Sequence, residues 1–176
     1  MAGKGENLIL IGMPGVGKST IGLLLAKELV KTFVDTDLLI QAREERALQD
    51  IIFEADYLHL RQIEEAILLG LSGKNQVIAT GGSAVHSEAG MNYLKSMGQL
   101  VFLKLPMEDI LGRISNPDTR GIAKPKSQSF EQMFAERQPL YHAHAGITID
   151  CRGKTPAEIV SEIIFEEGEY FAEKDA

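Results

Sequence analysis

Cysteine occurs once in this chain, at Cys151, so no intrachain disulfide can form and the fold must rest on its core. A lone thiol suits a reducing compartment, and a cytoplasmic protein is the expectation. Long apolar runs are also missing. The first, Leu8 to Ile11, is four residues long and follows Lys4 and Glu6, so neither a signal peptide nor a membrane span is expected. Basic charge is in deficit: 18 Lys and Arg stand against 25 Asp and Glu, a formal net charge of −7. That balance argues against a nucleic-acid partner or an anionic-membrane surface, both of which need a dominant basic face. His59, His86, His142 and His144 lack the spacing and neighbouring carboxylates of a metal site, and Cys151 has no adjacent cation or base to activate it. Internal repeats are absent. A length of 176 residues fits one domain, 1–176, with a sizeable core.

What the chain does have is a marked opening, "LILIGMPGVGKSTIGLLLAKEL" from Leu8. Leu8 to Ile11 form an unbroken apolar stretch, the pattern of a strand buried on both faces of a parallel sheet. Beyond Gly17, Ile21, Leu24, Leu25 and Leu29 recur at helical spacing. Between the two, Gly12, four residues, then Gly17, Lys18 and Ser19 match the phosphate-loop pattern G-x-x-x-x-G-K-[ST] at every fixed position. Glycines let backbone N–H groups turn inward around an anion, and the following helix adds its positive N-terminal end. In such a loop Lys18 reaches the β- and γ-phosphates of ATP and the Ser19 hydroxyl holds Mg²⁺. The plain alternative is a glycine-rich turn that binds nothing.

Further strands are expected at Phe33 to Asp35, Val77 to Ala79, Leu100 to Leu105 and Gly146 to Asp150, with helical patterns between them. This alternation predicts a doubly wound α/β domain with a parallel sheet, whose ligands lie beyond the carboxyl ends of the strands. Ser129 with Gln132 and Thr155 with Glu158 fit capping boxes, and Pro106 and Pro156 suit first helical turns. "SNPDTRGIAKPKSQ", Ser115 to Gln128, has no periodicity and reads as a lid over about 115–128 or as disorder. Around it, Arg113, Arg120, Lys124, Lys126 and Arg137 outnumber Asp118, Glu131 and Glu136, so this segment can meet phosphates. The acidic tail, about 166–176, reads as a frayed, solvated end.

"DTD" follows the second strand, and in extended chain Asp35 and Asp37 point the same way, toward the phosphate loop. One carboxylate then suits a metal-bound water and the other a proton from an attacking hydroxyl; the bland reading is a helix N-cap with an acidic first turn. Arg61 and Glu64 are neighbours on one helix face, as an exposed ion pair would be. In "ATGGS", Gly81 and Gly82 present bare N–H groups to a ligand or merely turn the chain. "ERQPLY" puts Arg137 on the helix after the lid.

In order, "GMPGVGKSTIG", "DTD", "LRQIE", "ATGGS", "TRG" and "ERQPLY" resemble the shikimate kinase family, from Leu8 to about Ile164. The resemblance implies an α/β fold of the P-loop NTPase type, akin to nucleoside monophosphate kinases. Its expected parts are three layers, a five-stranded parallel sheet, a helical substrate-binding region at about 36–72 and a lid. It implies MgATP-dependent phosphorylation of a shikimate hydroxyl, in aromatic amino-acid biosynthesis. Residue by residue, it implies catalytic roles for Lys18, Asp37 and Arg120. ATP contacts fall at Gly12, Gly15, Gly17, Lys18, Ser19, Thr20, Arg113, Arg120 and Pro156; metal contacts fall at Ser19 and, through water, Asp35. The acid is met by Asp37, Arg61, Glu64, Gly81, Gly82 and Arg137, the arginines gripping its carboxylate. A monomer is expected. The sequence departs from the family at Ser83, at Gly121, which stands where proline is usual, and at Leu60 and Ile52, which stand where aromatics are usual. These changes leave ATP chemistry alone and bear on the acceptor. Two other readings therefore stand beside the first: a sister kinase for another hydroxy carboxylic acid, and a nucleotide-binding relative without phosphotransfer. Lys18, Ser19, Asp37 and Arg120 count against the latter.

Overall fold

The computed structural model describes residues 6–114 and 121–174, with side chains through 169. Five strands, β1 (Asn7–Ile11), β2 (Thr32–Asp35), β3 (Gln76–Ala79), β4 (Gly98–Lys104) and β5 (Ile147–Asp150), pair in parallel in the order β2-β3-β1-β4-β5. The expected strands all form, each within two residues of its predicted ends. Strand β1 is buried along its whole length between β3 and β4, where Leu10 faces Ala79 on one side and Val101 on the other. An all-apolar run is what such a position demands.

The helices are α1 (Lys18–Glu28), α2 (Thr36–Glu44), α3 (Leu48–Glu54), α4 (Tyr57–Gly70), α5 (Glu88–Met97), α6 (Met107–Arg113), α7 (Phe130–His144) and α8 (Pro156–Lys174), with a 3₁₀ turn at Ala84–His86. The crossover from β1 to β2 runs across the sheet in the opposite direction to that from β3 to β4. Right-handed crossovers therefore put α1 on one face and α5 on the other, which makes the third layer. Helix α8 packs on α1, and α4 on α5. Both predicted capping boxes close, Ser129 with Gln132 and Thr155 with Glu158. Pro106 is the N-cap of α6, one residue before the helical turn it was expected to join.

The acidic tail does not fray as expected. Helix α8 runs on to Lys174, and Glu167 is 0% exposed because it falls on the same stripe as Val160 and Ile163. None of the described helices is long and apolar enough to cross a membrane.

The main core surrounds the sheet, and a second, smaller cluster of Ile40, Ile51, Leu60, Ile63 and Ala123 knits α2, α3 and α4 to the chain after residue 120. Between core and loops, Phe102 of β4 stacks on Tyr141 of α7 at 5.1 Å between ring centroids. The Tyr141 hydroxyl then donates to the Gly82 carbonyl at 2.6 Å, so the core grips the turn that follows β3. Tyr141→Phe keeps the ring and leaves that carbonyl without its donor. It should cost about 1–3 kcal/mol, measured as a lower urea unfolding midpoint with an unchanged slope. An unchanged midpoint would show that this bond carries no stability.

Candidate active site

Because all five strands are parallel, the chain leaves β1, β2 and β3 at one edge of the sheet, and three loops meet there. The loop after β1 is the predicted phosphate cradle. Gly12, Gly15 and Gly17 have φ of 149°, 85° and 105°, values that favour glycine strongly. Helix α1 starts without a side-chain cap and with no acid in its first turn, so its N–H groups stay free for an anion. Lys18, 8% exposed, folds back to donate to the carbonyls of Gly12 and Met13 at 2.7 and 2.9 Å. Burial pulls its pKa down to about 8 against the opposing pull of Asp37.

After β2 the chain turns at once into α2, so Asp35 and Asp37 do not share an extended strand, contrary to the spacing argument. Asp35 is the N-cap, with Oδ1 accepting from the N–H groups of Asp37 and Leu38. Its other oxygen, Oδ2, accepts from the Ser19 hydroxyl at 2.6 Å. One carboxylate therefore caps α2 and also meets Ser19 of the phosphate loop. Asp37 sits in the first turn of α2 and still faces the cavity. Burial raises its pKa, Lys18 holds it down and Asp35 raises it further.

The loop after β3 is tied down by Thr80, whose hydroxyl donates to the Leu10 carbonyl at 2.9 Å, and by Thr36, whose hydroxyl accepts from the Gly81 N–H at 3.1 Å. A Cβ on Gly81 would collide with Glu64 Oε1 and lie 2.8 Å from Asp37 Oδ1. Bare backbone at Gly81 is what lets both carboxylates approach.

Glu64 is 3% exposed and no exposed ion pair with Arg61 forms. It lies on the buried stripe Leu60, Glu64, Leu68 of α4, an acid at a core position and a signal the pairwise reading of Arg61 and Glu64 passed over. Its Oε2 accepts from the Ser83 hydroxyl, and burial pushes its pKa up to about 7 although that bond holds it down. Arg61 instead stacks over the Tyr57 ring at 5.0 Å and donates to the Ala123 carbonyl at 3.4 Å. Burial, then Arg137, lower its pKa.

Arg137 occupies the inward stripe Phe130, Met133, Arg137, Tyr141 of α7 and is 1% exposed. Its Nη2 donates to the same Ala123 carbonyl at 2.7 Å, while Nε and Nη1 are buried with no partner, as is Nε of Arg61. Two residues before that carbonyl, Gly121 has φ of 67° and no room for a Cβ against Leu48 and the Gln49 N–H. In this state Gly121 is thus required by its backbone angle and close approach, beyond the looseness expected from the missing proline.

These parts line one cavity of about 450 Å³. Lys18, Ser19, Thr20, Arg113 and Pro156 lie along it with Asp37, Glu64, Gly81, Gly82 and Arg137. Arg113 also donates to the Val16 carbonyl at 3.2 Å. Gly12, Asp35 and Arg61 stand behind its wall. Arg120 and the first part of the expected lid of about 115–128, residues 115–120, lie outside the described residues, whereas 121–128 are described. Leu60 lines the cavity, whereas Ile52 packs behind it in the second cluster. Ile40, Leu48 and Lys154 line it without having been foreseen; an adjacent helix start at Thr155 was the one available signal for Lys154. No cluster of three or more metal-ligating side chains occurs among the described residues.

Residues 14–166 match the profile of the family described as Shikimate kinase. A shikimate kinase from Persephonella marina is 35% identical over 160 residues, 90% of this chain and 97% of that protein. Among solved structures, the shikimate kinase from Acinetobacter baumannii in complex with shikimate superposes with a TM-score of 0.84 at 29% identity, over 90% of either chain. That from Aquifex aeolicus superposes with a TM-score of 0.81 at 34% identity, over 94% of this chain and 98% of the other. A P-loop fold, a buried lysine at the cradle and this extent of likeness lead to one conclusion: the chain belongs to the shikimate kinase family, a family of ATP-dependent kinases.

Proposed function

We propose that this chain transfers the γ-phosphoryl group of ATP to a hydroxyl of shikimate, at a site divided between a phosphate end and an acid end. The observation that carries the acid end is Arg137. A guanidinium 1% exposed, with two donors unpartnered, shares a cavity with Asp37 and Glu64 but pairs with neither. Such a group calls for a planar anion with two oxygens, and the Ala123 carbonyl supplies only one acceptor. A carboxylate gripped by Arg137, with Arg61 beside it, places the hydroxyls of a ring-sized acid toward Asp37 and Gly81. The structure from Acinetobacter baumannii, whose description includes shikimate, supports the choice of acid.

At the phosphate end Lys18 leaves the Gly12 and Met13 carbonyls for the β- and γ-phosphates, and the N-terminus of α1 faces them. Ser19 and Asp35 fit Mg²⁺: a hydroxyl already aligned on a fixed carboxylate suits an ion that keeps its waters and takes most protein contact through one or two oxygens. Bound with ATP, the ion neutralises charge on the β- and γ-oxygens. Asp37, made more basic by burial, accepts the proton of the attacking hydroxyl. Arg113 and Pro156 flank the base of the nucleotide, and Arg120 of the lid closes on the transferred group. The helices of about 36–72 hold the acceptor, and all these residues come from one chain, so a monomer suffices. The lone, buried Cys151 supports a cytoplasmic location. The aliphatic wall at Ile40, Leu48 and Leu60 is the observation that favours a sister kinase with a less planar acid.

Shikimate-dependent release of ADP, followed in a coupled assay, tests the reading. Wild type should turn over and Lys18→Ala should not, while keeping its far-ultraviolet circular dichroism. Turnover of another hydroxy acid with none of shikimate would transfer the assignment to the sister kinase. Arg137→Lys loses the planar fork and should raise the acceptor KM by about tenfold or more, with the ATP KM unchanged; equal effects on both KM values would remove Arg137 from the acid end. Asp37→Asn should cut kcat by about 10² to 10⁴ with ATP affinity retained. Collapse of ATP binding in that variant would move Asp37 to the metal side.

A further inference from the structure

Glu64 has two oxygens with different surroundings. Oε2 accepts from the Ser83 hydroxyl, and Oε1 sits over the bare Cα of Gly81 beside Asp37, on the cavity. The Ser83 hydroxyl has no other task there: Ser83 precedes the 3₁₀ turn but makes no side-chain cap to it. It is 7% exposed, so water does not replace it freely. A carboxylate on a flexible side chain, anchored at one oxygen and free at the other, is an aimed acceptor.

We propose that Ser83 is a positioning residue for the phosphoryl acceptor, holding Glu64 so that its free oxygen accepts a hydrogen bond from a second hydroxyl of the acid while Asp37 serves the reacting one. The proposal rests on the reading of shikimate, a polyhydroxy acid, as substrate. The charged and titratable groups facing Glu64 are Lys18 from α1, Asp37 from α2, Arg61 of its own helix, and Arg137 and Tyr141 from α7; among the described residues, α3 and α5 bring none to it. His86, in the 3₁₀ turn, is held down to about 4 by burial and the two arginines, and so stays neutral near pH 7. Burial pushes the Glu64 carboxyl up to about 7, and the Ser83 hydroxyl, which stabilises the anion, holds it down. Loss of that donor moves the titration of Glu64 to higher pH. Acceptor binding, which needs the anion, then fails earlier as pH falls.

The test compares Ser83→Ala, Ser83→Thr and Glu64→Gln. Alanine adopts the Ser83 backbone angles, φ −94° and ψ −2°, without strain. Ser83→Ala should raise the shikimate KM about five- to tenfold at pH 7, leave the ATP KM within about twofold, and shift the acid limb of kcat/KM for shikimate upward by about one pH unit. Ser83→Thr should restore the wild-type profile, and in Glu64→Gln the limb should reduce to that of Asp37 and no longer respond to Ser83→Ala. In parallel, the Glu64 carboxyl is titrated by carbon-13 NMR in unliganded wild type and Ser83→Ala, and the midpoint should rise in the variant. An unmoved midpoint, or a changed KM for both substrates with no shift of the limb, overturns the proposal. The NMR titration needs no substrate, so it decides the Ser83–Glu64 pair even if wild type proves inactive on shikimate.

Discussion

The site depends on burying charge of both signs in one place. Lys18 and Arg137 bring two cations to a cavity that also takes Asp37 and Glu64, and three of these four are nearly inaccessible to water. None could stay charged alone at such depth without a large desolvation cost. Together they moderate one another: Asp37 supports the charge on Lys18, and Lys18 and Arg137 support that on Glu64. The compensation is incomplete, which leaves the Arg137 donors open and the carboxyls shifted upward. Arg137, Asp37 and Glu64 all border the one cavity.

Polar anchors keep this arrangement in register. Thr80 on the Leu10 carbonyl, Thr36 on the Gly81 N–H, Tyr141 on the Gly82 carbonyl and Asp35 on the start of α2 each use one side chain to hold a backbone group. The loops at the sheet edge are thus fastened to β1, α2 and α7, and the reactive side chains start from fixed backbones. Catalysis of phosphoryl transfer relies on such positioning and on charge neutralisation more than on covalent chemistry.

The segment at Gly121–Ala123 ties α4 and α7 together. One carbonyl accepts from both Arg61 and Arg137, while the Ala123 side chain packs with Ile40, Ile51 and Leu60. Through that carbonyl the position of this segment is linked to that of the Arg137 guanidinium. The positive φ of Gly121 allows the docked state in a way proline, confined near −65°, does not.

The sequence alone determined what depends on near neighbours. The phosphate loop, the buried strand before it and the two capping boxes are short-range patterns, because strand burial, cap bonds and glycine angles involve residues a few positions apart. The parallel α/β fold followed from their alternation. Motif order was also enough to bring Arg61, Gly81 and Arg137 into view from distant parts of the chain. Spacing misled at Asp35 and Asp37, where the strand stops at Asp35, two residues short of an extended run through Asp37, and at Arg61 and Glu64, where spacing on a helix says nothing of which face is buried. The tail was misread for the same reason, since the acid at Glu167 hides a helical stripe. Only the tertiary structure decided that Ser83 holds Glu64, that Gly81 must be bare, and that the Ala123 carbonyl sits on both arginines. Each is a contact across 14 or more positions or an exclusion of atoms in space, and its energy depends on burial, which one chain position does not carry by itself.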